Sequence, residues 1–281
     1  MKFHNVSPDI AEFGPGDPEL AVVCNVHGDE PTGARAVRRI IESSPTFERG
    51  VKFVVANPPA SIAHRRFLDA DMNRVFPGDQ NADDLERRLA AQLVEETAGL
   101  VTLAIHTTHA TPEPIAFISE GHPRSLEVAS QLPIASVVNE TPVVESSFSS
   151  TGPVVSIEAG RVETPNAIGK AEMLIRAFLN NEDALSEGAP MYAPDTTYFE
   201  IYDEVEKPSG DESYELLARN FERVQADEAY ARSTDGTLLA DDPFVPILMS
   251  QSGYSSIFGY RGRKIGETVD DAKTAWTDSG E

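Results

Sequence analysis

The chain has 281 residues, 40% of them hydrophobic, which is enough for one large domain and a small one, each with its own core. Its 46 acidic residues against 23 basic ones leave a formal net charge of −23, which argues against nucleic acid as a partner. Only six of the basic residues are Lys, and such an acidic, lysine-poor surface suits a salt-rich, halophilic cytoplasm where dense counterions screen self-repulsion.

The leading residues KFHNVSPDIAEFG lack the apolar core of a signal peptide, and no stretch approaches the ~20 apolar residues needed to cross a bilayer. A cytoplasmic protein without a membrane partner is expected, and homo-oligomer formation is left open. From Leu20 to Val26, LAVVCNV is a short apolar run that reads as a buried strand with His27 at its carboxyl end. It contains Cys24, the lone cysteine, so no internal disulfide is expected and a reducing compartment fits. Pro31 then opens the helical pattern ARAVRRIIES. VKFVVAN, ending at Asn57, reads as a second strand, LERRLAAQLVEET (Leu85 to Thr97) as a helix, and LVTLAIH as a strand that ends at His106.

PIAFISE, PIASVVNE and PVVSIEAG are further strand candidates, followed by an amphipathic helix from Asn166 to Leu179. The alternation predicts an α/β domain, a mixed or mostly parallel sheet covered by helices. Ligands of such sheets collect at strand carboxyl ends, where His27, His106 and Glu158 fall. After the polar stretch NNEDALSEGAP the helical period fades, which places a boundary near residue 187, between a catalytic α/β domain (1–187) and a small β-rich carboxyl-terminal domain (188–281). Its strand candidates are TTYFEIYDEV and PFVPILM, and the closing DDAKTAWTDSGE reads as a frayed end.

A catalytic zinc needs three protein ligands and an open position, and His, His and Glu form one of the recognised sets. His27-Gly28-Asp29-Glu30 supplies two of them, with Gly28 expected to allow a sharp turn after the strand. By itself HxxE is a weak pattern, since a loop His beside a surface Glu is the commoner case. His106 is the best candidate for the third ligand because it directly ends an apolar run, whereas His109, His64, His122 and His4 do not.

Four segments then carry a family resemblance: CNVHGDEPTG (24 to 33), ANPPA with RRFLDADMNRVFPG (56 to 78), AIHTT (104 to 108) and SIEAG (156 to 160). The chain resembles the succinylglutamate desuccinylase and aspartoacylase family, relatives of the zinc carboxypeptidases. The resemblance implies a zinc carboxypeptidase-like mixed sheet flanked by helices, one Zn2+ per chain on His27, Glu30 and His106, and Glu158 as the general base acting on water. It further implies that Arg66 stabilises the developing oxyanion, that Asn73 and Arg74 grip the carboxylate of a small anionic N-acyl amino acid, and that Tyr254 contacts the substrate.

Two departures stand out. Ala104 replaces the Asp usual two residues before the last metal ligand, where an outer carboxylate would tune the metal, and Phe148 falls where aspartoacylases carry an arginine for the substrate's side-chain carboxylate. The expected activity is zinc-dependent hydrolysis of an N-acyl amino acid amide. The alternatives are a zinc carboxypeptidase acting on peptides and a non-catalytic homologue that binds zinc or a ligand.

Overall fold

Alternating apolar runs and amphipathic stretches assemble into one large sheet with helices packed on both of its faces. The computed structural model describes residues 6–162, 164–186, 195–208, 213–253 and 256–277. The chain runs through β1 (Asp9–Phe13), β2 (Pro18–Cys24), α1 (Thr32–Glu42), β3 (Gly50–Val55), α2 (Pro58–Ala63) and α3 (Leu85–Glu96). It continues through β4 (Val101–Thr108), β5 (Ile115–Ile118), α4 (Pro123–Gln131), β6 (Ser136–Asn139), β7 (Val154–Arg161) and α5 (Pro165–Asn181). The remainder holds β8 (Thr197–Glu206), β9 (Glu215–Leu216), β10 (Ala229–Arg232), β11 (Thr237–Leu239), β12 (Val245–Ile247), β13 (Ile257–Gly266) and α6 (Val269–Thr277).

The large sheet has the order β1-β3-β2-β4-β7-β5-β6-β8-β13-β12 and is mixed. Its centre, β3-β2-β4-β7, is parallel, whereas β1, β12 and β13 run antiparallel to their neighbours. A small antiparallel sheet, β11-β10-β9, makes the chain's later part β-rich. The boundary expected near residue 187 falls in 187–194, outside the described residues, and β8 from beyond it joins the large sheet by pairing with β6. Among the described residues, no helix is long and apolar enough to cross a membrane.

Strand alternation sends the side chains at the centre of the sheet into two core clusters, one on each face. Leu20, Val22, Leu103 and Ile105 face one side, where they pack with residues of α1, α4, α5 and α6. Val23, Ala104 and Val154 face the other, beneath Leu85, Leu89 and Leu93 of α3. Ala104 is fully buried there, so the position of the expected outer carboxylate belongs to the apolar core.

Three details depart from the sequence-based expectation. β2 stops at Cys24, because Asn25 takes a left-handed conformation (φ 54°) and turns the chain toward His27. β4 runs on to Thr108, so His106 lies inside the strand and not at its end; the ladder to β7 carries it further than the apolar run suggests. The expected frayed end forms α6 up to Thr277, held by Ala272 and Trp276 in the core.

One buried carboxylate positions the loop between α2 and α3. Glu86, in the first turn of α3, is fully buried. Its Oε1 accepts from Leu68 N (2.7 Å) and Asn57 Nδ2 (3.2 Å), and its Oε2 from Asp69 N (2.9 Å) and Ala70 N (3.1 Å). Asp69 answers by accepting from Leu85 N at the helix start (2.9 Å). Replacing Glu86 with Ala leaves the buried Asn57 amide and three part-buried backbone donors without their acceptor, each at up to about 1–3 kcal/mol. The expected loss is about 3 kcal/mol or more, measured as a lower urea midpoint, and a variant as stable as the parent would show that the loop does not depend on this carboxylate.

Candidate active site

The carboxyl ends of β2 and the loop after it meet the outer part of β4 and β7 in a single cleft. His27, Glu30 and His106 are all buried and bring three potential ligand atoms within 4.8 Å of one another. The Glu30 carboxylate bridges the two imidazoles: Oε1 lies 2.7 Å from His27 Nδ1 and Oε2 lies 3.3 Å from His106 Nδ1. Oε2 also accepts from Thr107 N (3.0 Å), which fixes the carboxylate against β4. Burial alone would raise the Glu30 carboxyl. The attraction of His27 and hydrogen bonding with both histidines instead hold it well below the usual carboxylate range.

Gly28 is needed here for closeness. It does not adopt a positive φ, and a Cβ on it would come within 2.1 Å of the Ala60 carbonyl carbon in α2. Its N–H donates to Arg66 O (3.1 Å), so the missing side chain lets the loop that carries His27 and Glu30 lie directly on the loop that follows α2.

That second loop contributes two more charges. Asp71 Oδ1 is 3.1 Å from His27 Nε2, and Asp71 Oδ2 accepts from Arg66 Nε (2.9 Å). Arg66 Nη1 also donates to Glu30 Oε1 (3.3 Å). Burial opposes the Asp71 charge, but His27 and Arg66 hold its carboxyl far below the ordinary range. His27 is likewise resisted by burial, yet Glu30 and Asp71 outweigh that and lift it to about 9. The donor set fits a catalytic zinc-type ion: two imidazoles and a carboxylate, with the outer nitrogen of His27 held by a further carboxylate.

Glu158 stands next to His106 in the β4–β7 register. It is half-buried, its Oε2 lies out of solvent without a protein partner, and burial together with the nearby Glu30 charge lifts its carboxyl to about 8. Asn73 and Arg74 line the same cleft. Asn73 Oδ1 accepts from Phe148 N (2.9 Å), which leaves its Nδ2 as the donor end, and Arg74 is held by Asn73 O (2.9 Å) and the Tyr260 hydroxyl (3.1 Å).

The structure thus brings His27, Glu30, His106, Glu158, Arg66, Asn73 and Arg74 together. Tyr254 lies outside the described residues. His109 is exposed at the cleft, and His64 is exposed on the carboxyl-terminal cap of α2. Phe148 packs against Phe76 in the α3-side core, their ring centroids 5.0 Å apart. Sequence reasoning missed Asp71, Glu140 and Tyr260. Glu140 directly follows the apolar strand β6, the same strand-end signal that marked Glu158.

Residues 16–180 match the family model described as the succinylglutamate desuccinylase/aspartoacylase catalytic domain. The chain is similar to a succinylglutamate desuccinylase of Idiomarina loihiensis, 28% identical over 92 residues, 30% of this chain and 27% of that relative. The match therefore spans about a quarter of the curated relative's length. Among solved structures, a succinylglutamate desuccinylase/aspartoacylase from Rhodobacter sphaeroides superposes with a TM-score of 0.74 at 18% identity, covering 91% of this chain and 89% of the other. Murine aminoacylase 3 superposes with a TM-score of 0.70 at 19% identity, covering 91% and 98%. At these identities the two structures speak for the fold.

The raised groups give a pH dependence to the metal-free chain. Glu158 titrates at about 8 in the fold against 4.5 ordinarily, and His27 at about 9 against 6.5. Both hold protons that the unfolded chain has released, so stability falls as pH rises toward about 9. Thermal melting of the metal-free chain should show a falling midpoint from pH about 6 to about 9, and Glu158→Gln should reduce that fall. A flat profile across this window would contradict the proton-holding geometry.

Proposed function

The chain belongs to the succinylglutamate desuccinylase/aspartoacylase family, and from that premise we propose that it hydrolyses the amide bond of an N-acyl amino acid with one zinc ion per chain. The observation that carries the reading is the buried His27–Glu30–His106 group beside a half-buried carboxylate with a raised pKa, Glu158. His27 and His106 would hold the metal through the Nδ1 atoms that face Glu30, and Glu30 through its carboxylate. When bound, zinc lowers the pKa of water and polarises a carbonyl.

The remaining chemistry falls to the chain's own groups. Glu158 takes a proton from the attacking water and returns it to the leaving amine nitrogen, a task suited to a carboxyl that titrates near neutrality. Arg66, held by Glu30 and Asp71, presents a fixed positive charge beside the point where negative charge develops on the carbonyl oxygen. Asn73 and Arg74 bind the amino acid's α-carboxylate, and Tyr260 keeps the Arg74 side chain in place. Asp71 orients the His27 ring through Nε2, in place of a carboxylate that Ala104 cannot supply.

The β-rich stretch after residue 187 serves in this reading as a second unit that shapes the channel. Leu248, Ser250 and Tyr260 reach the cleft from it, which favours a small N-acyl amino acid over a long peptide.

The test is amine release from a panel of N-acetyl and N-succinyl amino acids, in high salt, with and without a chelator. Hydrolysis should stop with the chelator and return on adding zinc. Glu158→Gln should lower turnover by about 10²–10⁴-fold while the chain still takes up one equivalent of zinc. Full activity in that variant, or turnover indifferent to the chelator, sinks the proposal.

A further inference from the structure

One wall of the cleft is a buried acid set among serines that the reaction chemistry above does not use. Glu140 follows β6, lines the cleft, and is only 8% exposed. Its Oε1 accepts from Ser147 Oγ (2.8 Å) and from Ser149 Oγ. Ser149 Oγ is in turn within hydrogen-bond distance of Ser147 Oγ (2.7 Å) and Ser119 Oγ (3.0 Å). The three serines are themselves buried, so this is a built polar cluster and not a surface patch.

The charge around Glu140 is poorly balanced. Its carboxylate is hydrogen-bonded by neutral hydroxyls, and burial raises its pKa despite those bonds and the more distant attraction of Arg74 and His106. It also repels Glu158 across the cleft. Among the described residues, the arginines lining the cleft are Arg66 and Arg74, and both already engage protein groups. The position where a third arginine was expected holds Phe148, which is turned into the core. A ligand carboxylate brought to this wall would meet a like charge in a poorly solvated site, whereas an ammonium would satisfy the buried acid with a charge-assisted hydrogen bond.

We propose that Glu140, supported by Ser147 and Ser149, is a specificity-determining group that selects substrates whose side chain ends in an ammonium group, the N-acyl derivatives of diamino acids. The selection rests on the deacylase reading of the same cleft: the α-carboxylate sits with Asn73 and Arg74, and the side-chain ammonium points to Glu140. The residue acts in binding, by recognising the far end of the substrate, and has no part in proton transfer.

Two measurements on the metal-loaded full chain test this. The first is calorimetric binding of the free amino acids ornithine and glutamate to the unmodified chain, which needs neither turnover nor a variant. Ornithine should bind more tightly, and equal or tighter binding of glutamate overturns the proposal. The second is kcat/KM for Nα-acetylornithine relative to N-acetylglutamate in the parent and in Glu140→Gln. The ratio should fall by about 10- to 100-fold in the variant, the size expected for losing a hydrogen bond to a charged group. A merely structural Glu140 would lower both substrates by the same factor and shift the melting temperature instead, which also overturns the assignment. If no N-acyl amino acid is hydrolysed at all, the deacylase reading fails, and the binding comparison alone decides whether Glu140 selects an ammonium.

Discussion

The cleft depends on the carboxylate of Glu86, which collects three backbone N–H groups and the Asn57 amide at the start of α3. A loop that crosses the end of a sheet has backbone donors that neither strand nor helix can satisfy, and burying them unpaired is costly. Glu86 accepts them together, which lets residues 68–70 press against α3 while Arg66 and Asp71, on either side, face the strand ends. Strand register does the rest. The parallel β4–β7 ladder sets His106 beside Glu158, and the left-handed Asn25 swings His27 and Glu30 toward them. β4 and β7 thus supply His106 and Glu158, the loop after β2 supplies His27 and Glu30, and the pinned loop after α2 supplies Arg66 and Asp71.

Within the cleft, four acidic side chains are pushed in opposite directions by their surroundings. Glu30 and Asp71 touch histidines and Arg66 and are held in the charged form, whereas Glu158 and Glu140 are dominated by burial and drawn toward the neutral form. Such a separation lets one pocket contain both fixed negative charges and a group able to carry a proton near neutral pH. The fixed pair organises cations. Of the raised pair, one stands next to His106, and the other is turned into a serine cluster at a separate part of the wall.

Hydrophobic period made the central architecture readable from sequence. The runs around β2, β3, β4 and β7 and the helices α1, α3 and α5 fall where the pattern places them, because each buries a face against the sheet. Ends were less readable, since β4 is prolonged by its ladder with β7 and α6 is held by Trp276. The site divides along the same line. His27, Glu30, His106 and Glu158 stand out in the sequence through motif spacing, the apolar runs before them and the family resemblance, and the fold brings the four into one cleft. Glu86 reads in sequence as an ordinary acid in the first turn of a helix, and only its tertiary partners reveal what it holds. Gly28 was singled out for its backbone freedom, whereas what matters is the room its missing side chain leaves against α2.

The chain's charge distribution follows from how each group is buried. A surface with a net charge of −23 interacts with its medium over a screening distance of about 10 Å at 0.1 M salt, so its self-repulsion falls as salt rises. The His27–Glu30–His106 group lies out of solvent, and its close pairs are screened far less. Arg66 is intermediate, about one third exposed but tied to two carboxylates. Arg74 is exposed, so among the described arginines of the cleft it is the one whose field the ionic medium most weakens. Added salt therefore weakens the field of Arg74 first, and the close buried pairs beneath it last.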